Sequence, residues 1–204
     1  MYNGLVTTPG KDDAMKLNID EQKSIFIGLC RETIHREGLE SLLAWLNRSD
    51  FFTAPASTRY HGAYEGGLCE HSMDVYHMAL KTAQSFELEL SEESLAVAAL
   101  FHDLCKVNFY KLDKKNQKIN GVWQEVPYYT IEEKFPFGGH GGKSVYLVQQ
   151  FMKLKTDEAA AINCHMGSTP GGDAVRDSGN AYQAFPLAWV IHVADEASAY
   201  LLDR

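Results

Sequence analysis

Along most of this chain the apolar residues recur every three or four positions, the spacing of one face of an α-helix. Ile25, Leu29 and Ile34 follow Asp20, which predicts a first helix capped by Asp20 and broken at Gly38. Leu39, Leu42, Leu43 and Leu46 form a second stripe. Residues 51–67 hold Pro55 and three glycines, so they read as a loop. That loop feeds a helix starting near Gly67, with Leu68, Met73, Val75, Tyr76, Ala79, Leu80 and Ala83 on its apolar positions. Ser91, ahead of Glu92 and Glu93, starts a helix both by side-chain capping and by dipole. Residues 95–104 are so uniformly apolar that their helix belongs in the core, and it runs out at His102-Asp103.

The pattern changes at 107–131. Val107, Phe109, Tyr110, Val122, Trp123, Val126, Tyr128 and Tyr129 are strand formers, split by Asn120-Gly121, and predict a small β-hairpin insert. Helices follow at about 141–153 and from Thr156, as cap, to about 165. Pro186 opens a last helix, and residues 167–181 read as a glycine-rich loop, a candidate lid. The predicted fold is all-α in the main, a bundle of six or seven helices with one hairpin.

Composition narrows the function classes. An apolar share of 45% and a charged share of 23% are those of an ordinary globular protein. The net charge of −8 disfavours long nucleic acid and anionic membrane as partners. Lys111, Lys114, Lys115 and Lys118 read as a solvated hairpin tip rather than a basic groove. The N-terminus lacks the pattern of a signal peptide and no apolar run suits a membrane span, so a cytoplasmic location is expected. Cys30, Cys69, Cys105 and Cys164 lack paired spacing and read as reduced thiols, not as a zinc knuckle.

The candidate chemistry lies in the histidines. His102-Asp103 ends a buried helix, where an imidazole and a carboxylate side by side are costly unless paired or bound to a cation. His71 lies in Gly66-Gly67-Leu68-Cys69-Glu70-His71, at a helix start. His140 lies in Gly138-Gly139-His140-Gly141-Gly142-Lys143, His165 at a helix end, and Asp195 within an apolar helix. The ordered series His71, His102-Asp103, His140, His165, Asp195 resembles the HD-domain superfamily of metal-dependent phosphohydrolases, over residues 58–200. The phrases around His71 and across residues 100–106 carry most of the likeness.

The resemblance implies an HD-type domain at 58–204 behind an N-terminal helical extension at 1–57. It implies one metal on His71, His102, Asp103 and Asp195, and a second shared through Asp103 with His140 and His165. Such a ligand set suits Mn²⁺, Fe²⁺, Co²⁺, Ni²⁺ or Mg²⁺, and Zn²⁺ less distinctively. One departure from the family pattern is the glycine pair on each side of His140, which reads as local flexibility.

The expected reaction is hydrolysis of a phosphomonoester or phosphodiester of a nucleotide or other small phosphorylated molecule by metal-activated water. Asp103 and Lys106 are the candidate catalytic residues. Lys106, His61, Arg59 and Lys143 are the candidates for substrate contact, although a helix-terminal lysine is favoured by the dipole alone. An HD-type di-iron oxygenase would use the same ligands, and a 3′–5′ exoribonuclease-like phosphodiesterase on short single strands is a further alternative. His192, one turn before Asp195, reads as packing; His35 and His77 read as solvent-facing.

Overall fold

The computed structural model describes residues 17–167 and 173–202, the side chains of 173–176 excepted. Helix α1 (Ile19–Thr33) is capped by Asn18, not Asp20: the Asn18 side chain accepts from the Glu21 amide at 2.9 Å and the Glu21 carboxylate returns to the Asn18 amide at 3.1 Å. That reciprocal pair moves the start back two residues, and the buried stripe becomes Gln22, Phe26 and Cys30, with Ile25 47% exposed. Phe26 meets Phe51, Phe52 and Phe101 with ring centroids 4.9, 5.7 and 6.3 Å away.

Helices α2 (Leu39–Arg48), α3 (Gly67–Ser85) and α4 (Glu92–Phe101) follow, with Ser91 capping α4 through the Ser94 amide. Every residue of α4 from Ser94 to Phe101 is buried, and α3, α6 (Thr156–Cys164) and α8 (Pro186–Ala197) pack around it. One hydrophobic core runs from Phe26 to Ala194, so α1 and α2 share it with the later helices. The Arg36 guanidinium ties the start of this bundle to its middle, donating to Glu158 at 2.8 and 2.9 Å and to Glu93 at 2.8 Å.

Strands β1 (Tyr110–Ile119) and β2 (Val122–Ile131) form the hairpin, antiparallel, with Ile119 opposite Val122. Asn120 and Gly121 turn it with φ of 49° and 82°. The lysine run therefore lies along β1 rather than at the tip, and it is exposed. Helix α5 (Gly139–Gln149) follows the hairpin.

Among the described residues there are eight α-helices, one more than the sequence pattern marks out. The addition is α7 (Asp173–Ala184), within the stretch expected to be a loop. Gly171, Gly172 and Gly179 hide its signal, but Ala181 and Tyr182 pack on the core and the Tyr182 hydroxyl donates to the Cys164 carbonyl at 2.9 Å. Residues 168–172 of the candidate lid, like residues 1–16, lie outside the described residues. No helix among those described is long and apolar enough to cross a membrane.

Candidate metal centre

The centre is assembled from helix ends. His102 caps α4 and His165 caps α6, each in helical backbone geometry, and each Nδ1 lies 2.7 Å from the carbonyl three residues back, Ala99 and Ile162 respectively. A carbonyl can only accept, so the proton sits on Nδ1 and Nε2 faces inward. His71 opens the second turn of α3. Its helix starts where it does because Gly67 lies against Gly62; a Cβ there would fall 2.1 Å from the Gly62 carbonyl oxygen.

The three Nε2 atoms converge on two buried carboxylates. His71 Nε2 lies 3.0 Å from Asp195 Oδ1 and 3.8 Å from Asp103 Oδ2. His102 Nε2 lies 3.4 Å from Asp103 Oδ2 and 3.7 Å from Asp195 Oδ1, and His165 Nε2 lies 3.5 Å from Asp103 Oδ1. All three are buried, and none has a hydrogen-bond partner. Leaving a buried polar group unpaired costs about 1–3 kcal/mol, and three together in one pocket need a cause. A divalent cation supplies one, because imidazole lone pairs facing buried carboxylate oxygens are what such an ion binds. The residues present fit it.

Electrostatics point the same way. Burial would raise both aspartates, yet Lys106 and His102 hold Asp103 well below the carboxylate range, and His102 and His71 do so for Asp195. Burial disfavours charge on His102, but Asp103 and Asp195 outweigh it and raise that imidazole to about 10. Cation binding would displace this proton and couple affinity to pH.

Other candidates stand around this cluster. Lys106 is buried with Nζ 2.6 Å from Asp103 Oδ2. His61 stacks near His71, ring centroids 4.7 Å apart, with its Nε2 buried and unpartnered; burial, with His71 and Lys106 nearby, holds it down to about 4. His165 groups with His102 and Asp195, whereas His140 groups with Asp103 and Cys105. A cavity of roughly 440 Å³ opens beside them, lined by Cys105, Phe109, Glu133, Phe137, His140 and Lys143. There Lys143 Nζ pairs with Glu133 at 2.8 Å. Arg59 stands apart, stacked on Tyr60 and edging a separate hollow against the hairpin.

Comparison with known proteins agrees with this geometry. The HD domain family matches residues 68–200. The chain belongs to the HD-domain family, the superfamily of metal-dependent phosphohydrolases that its histidines resemble. It is 42% identical over 154 residues to the dihydroneopterin 2′,3′-cyclic phosphate phosphodiesterase of Methanocaldococcus jannaschii, covering 74% of this chain and 53% of that protein. It is 28% identical over 109 residues to ribonuclease Y of Mycoplasmoides gallisepticum, 53% of this chain and 16% of the relative. The chain thus spans about half the length of the first relative and far less of the second. No solved structure matches it.

Within this HD domain the glycines around His140 answer to backbone conformation at Gly138 and Gly139 and to close packing at Gly141. Gly138 and Gly139 have φ of 56° and 73°, and a Cβ on Gly141 would fall 2.2 Å from the Asn163 carbonyl oxygen. The α5 backbone therefore lies directly on α6, which carries His165. His192 does not join the cluster: its Nδ1 lies 2.7 Å from the His165 carbonyl and its ring stacks on Tyr182. Sequence reasoning missed Cys105, whose amide donates to Ser144 Oγ at 3.0 Å and whose thiol faces His140. Its position two residues past Asp103 was the available signal. Ser198, 3.3 Å from His71 Nδ1, had none.

Proposed function

We propose that this HD domain hydrolyses a phosphodiester of a small molecule, with a 2′,3′-cyclic phosphate as the leading substrate class. The observation that carries the proposal is the set of three buried, unpartnered Nε2 atoms closing on Asp103 and Asp195. The relative that acts on dihydroneopterin 2′,3′-cyclic phosphate supports the substrate class, and the ribonuclease supports phosphodiester cleavage. The charge of −8 favours a small substrate over a long polynucleotide.

In this proposal His71, His102, Asp103 and Asp195 hold one divalent cation, and Asp103 extends to a second position toward His140 and His165. Bound cations would supply an activated water and counter-charge for the phosphoryl oxygens. Lys106, held charged by Asp103, offers its ammonium to a phosphate oxygen as negative charge builds. His61, neutral at physiological pH, presents a free Nε2 to a substrate oxygen. The cavity walled by Phe109, Phe137 and Lys143 receives the non-reacting part of the substrate.

The test is elemental analysis of the purified chain followed by turnover of 2′,3′-cyclic phosphates with Mn²⁺, Fe²⁺, Co²⁺, Ni²⁺ or Mg²⁺. Ring opening to a phosphomonoester, dependent on the ion, is expected. Two irons with oxygen consumption and no phosphate-ester turnover would replace hydrolysis with oxygenation.

A further inference from the structure

The two carboxylate oxygens of Asp103 face different partners. Oδ2 meets Lys106 at 2.6 Å, His102 at 3.4 Å and His71 at 3.8 Å. Oδ1 meets His165 Nε2 at 3.5 Å and Cys105 Sγ at 3.8 Å. Cys105 Sγ in turn lies 3.2 Å from His140 Nδ1, and the donor atoms of Asp103, Cys105 and His140 all fall within 4.8 Å of one another. Donors sharing one small cation, each about 2.0–2.3 Å from it, stand about 3–4 Å apart. His165 Nε2, fully buried and without a partner, aims at the same Oδ1.

We propose that Cys105 is a metal ligand. With Asp103 Oδ1, His140 and His165 it makes the second cation position a mixed sulfur, nitrogen and oxygen site. A thiolate in the set selects Zn²⁺, Co²⁺ or Fe²⁺ over Mg²⁺, which keeps to oxygen donors. As the sulfur–metal bond forms the S–H bond breaks, and its proton passes to solvent. The hydrogen bond that the Cys105 backbone N–H donates to Ser144 Oγ fixes the cysteine backbone at this spot. Among the described residues Cys105 is the one cysteine that falls in a possible ligand group; Cys30 and Cys69 lie in the apolar core, and Cys164 Sγ accepts from the Asn163 side-chain Nδ2 at 3.8 Å. The inference rests on the reading of this centre as a metal site, and it replaces an all-imidazole and carboxylate set at the second position.

Cobalt titration of the metal-free full chain, followed by electronic absorption and by equilibrium dialysis, separates the two claims. Two Co²⁺ per chain are expected, one of them bringing a near-ultraviolet thiolate-to-cobalt charge-transfer band. Cys105→Ser loses that band and binds the second Co²⁺ at least ~10-fold more weakly, a lower bound taken from the loss of an outer-shell partner. Cys164→Ser keeps the band. If Cys105→Ser fails to fold, His140→Ala at the exposed rim of the cavity serves instead and also weakens the band-bearing site. Cobalt bound without a band, or a band that survives Cys105→Ser, overturns ligation by Cys105 and leaves the metal centre standing. No bound cobalt overturns both.

Discussion

Gly141 and Gly142 are neighbours in α5, and the structure sets them opposite fates on substitution by alanine. A Cβ on Gly141 would sit 2.2 Å from the Asn163 carbonyl oxygen and 2.6 Å from that residue's Cα and carbonyl carbon, all backbone atoms that cannot swing aside. Real Cβ atoms keep at least 3.0 Å, so α5 and α6 would have to part by 3.0 − 2.2 = 0.8 Å. Overpacking of this kind costs about 1–3 kcal/mol, against a gain of up to about 1 kcal/mol from replacing a helical glycine. The net for Gly141→Ala runs from about zero to a loss of about 3 kcal/mol, up to about 12 °C in Tm for a chain of this size. Because the helix gain is common to both variants, Gly141→Ala falls about 1–3 kcal/mol below Gly142→Ala. On Gly142 the new Cβ would meet only Asn163 Oδ1 at 3.7 Å, an ordinary contact. The helix gain then stands alone, and Gly142→Ala melts at or up to about 4 °C above the parent. Because α5 carries His140 and α6 carries His165, Gly141→Ala also weakens the second cation position relative to the first. Circular-dichroism melts of the two variants, with calorimetric cation titration, check both halves. Equal melting temperatures, or a Gly141→Ala protein more stable than Gly142→Ala, would refute the packing argument.

Arg36→Met strips the fully buried Glu158 of its bidentate partner and costs about 3–5 kcal/mol in denaturant unfolding, with loss below 1 kcal/mol as the contrary result. Against the upward push of burial Arg36 holds Glu158 below its ordinary value, so its contribution is present above the unfolded value of about 4.3 and fades as pH falls through the lower folded value. Unfolding free energies from about pH 6 to pH 3 therefore fall more steeply for the parent than for Glu158→Gln, and parallel curves would contradict this. Asp103→Ala removes both cations together by elemental analysis, since its two oxygens face both donor groups; retention of either ion would sink the bridging role. Lys106→Met keeps the cation content but lowers kcat about 10²-fold or more, and an unchanged kcat reduces Lys106 to a partner of Asp103.

Much of the fold was legible because local rules and tertiary packing agreed. Ser91 and Pro186 mark helix starts that the structure keeps, and Asn120-Gly121 sits at the hairpin turn. The errors come where one local signal outweighs another. Asp20 looks like a cap until the Asn18 and Glu21 side chains are seen to satisfy each other's amides. Glycines at 171, 172 and 179 outvote the apolar positions of α7, which are decided by its contact with α6 and α8.

The site was legible as an ordered list of ligand types, but not as an arrangement. His71, His102, Asp103, His165 and Asp195 meet because the start of α3 and the ends of α4, α6 and α8 converge, which no spacing along the chain reveals. The segment after His102-Asp103 shows the limit most clearly. Read as α-helix, Lys106 would stand about 60° round the axis from Asp103, and Cys105 would point away from it. The chain instead tightens into a 3₁₀ turn at Leu104–Lys106, where residues three apart eclipse one another. That places the Lys106 ammonium on one oxygen of Asp103 and leaves the other to His165 and the Cys105 thiol. Counting cysteines by their spacing sorted Cys105 with the inert thiols of the core. The change of helical pitch at a single turn sets it apart, and its consequence is a choice of metal.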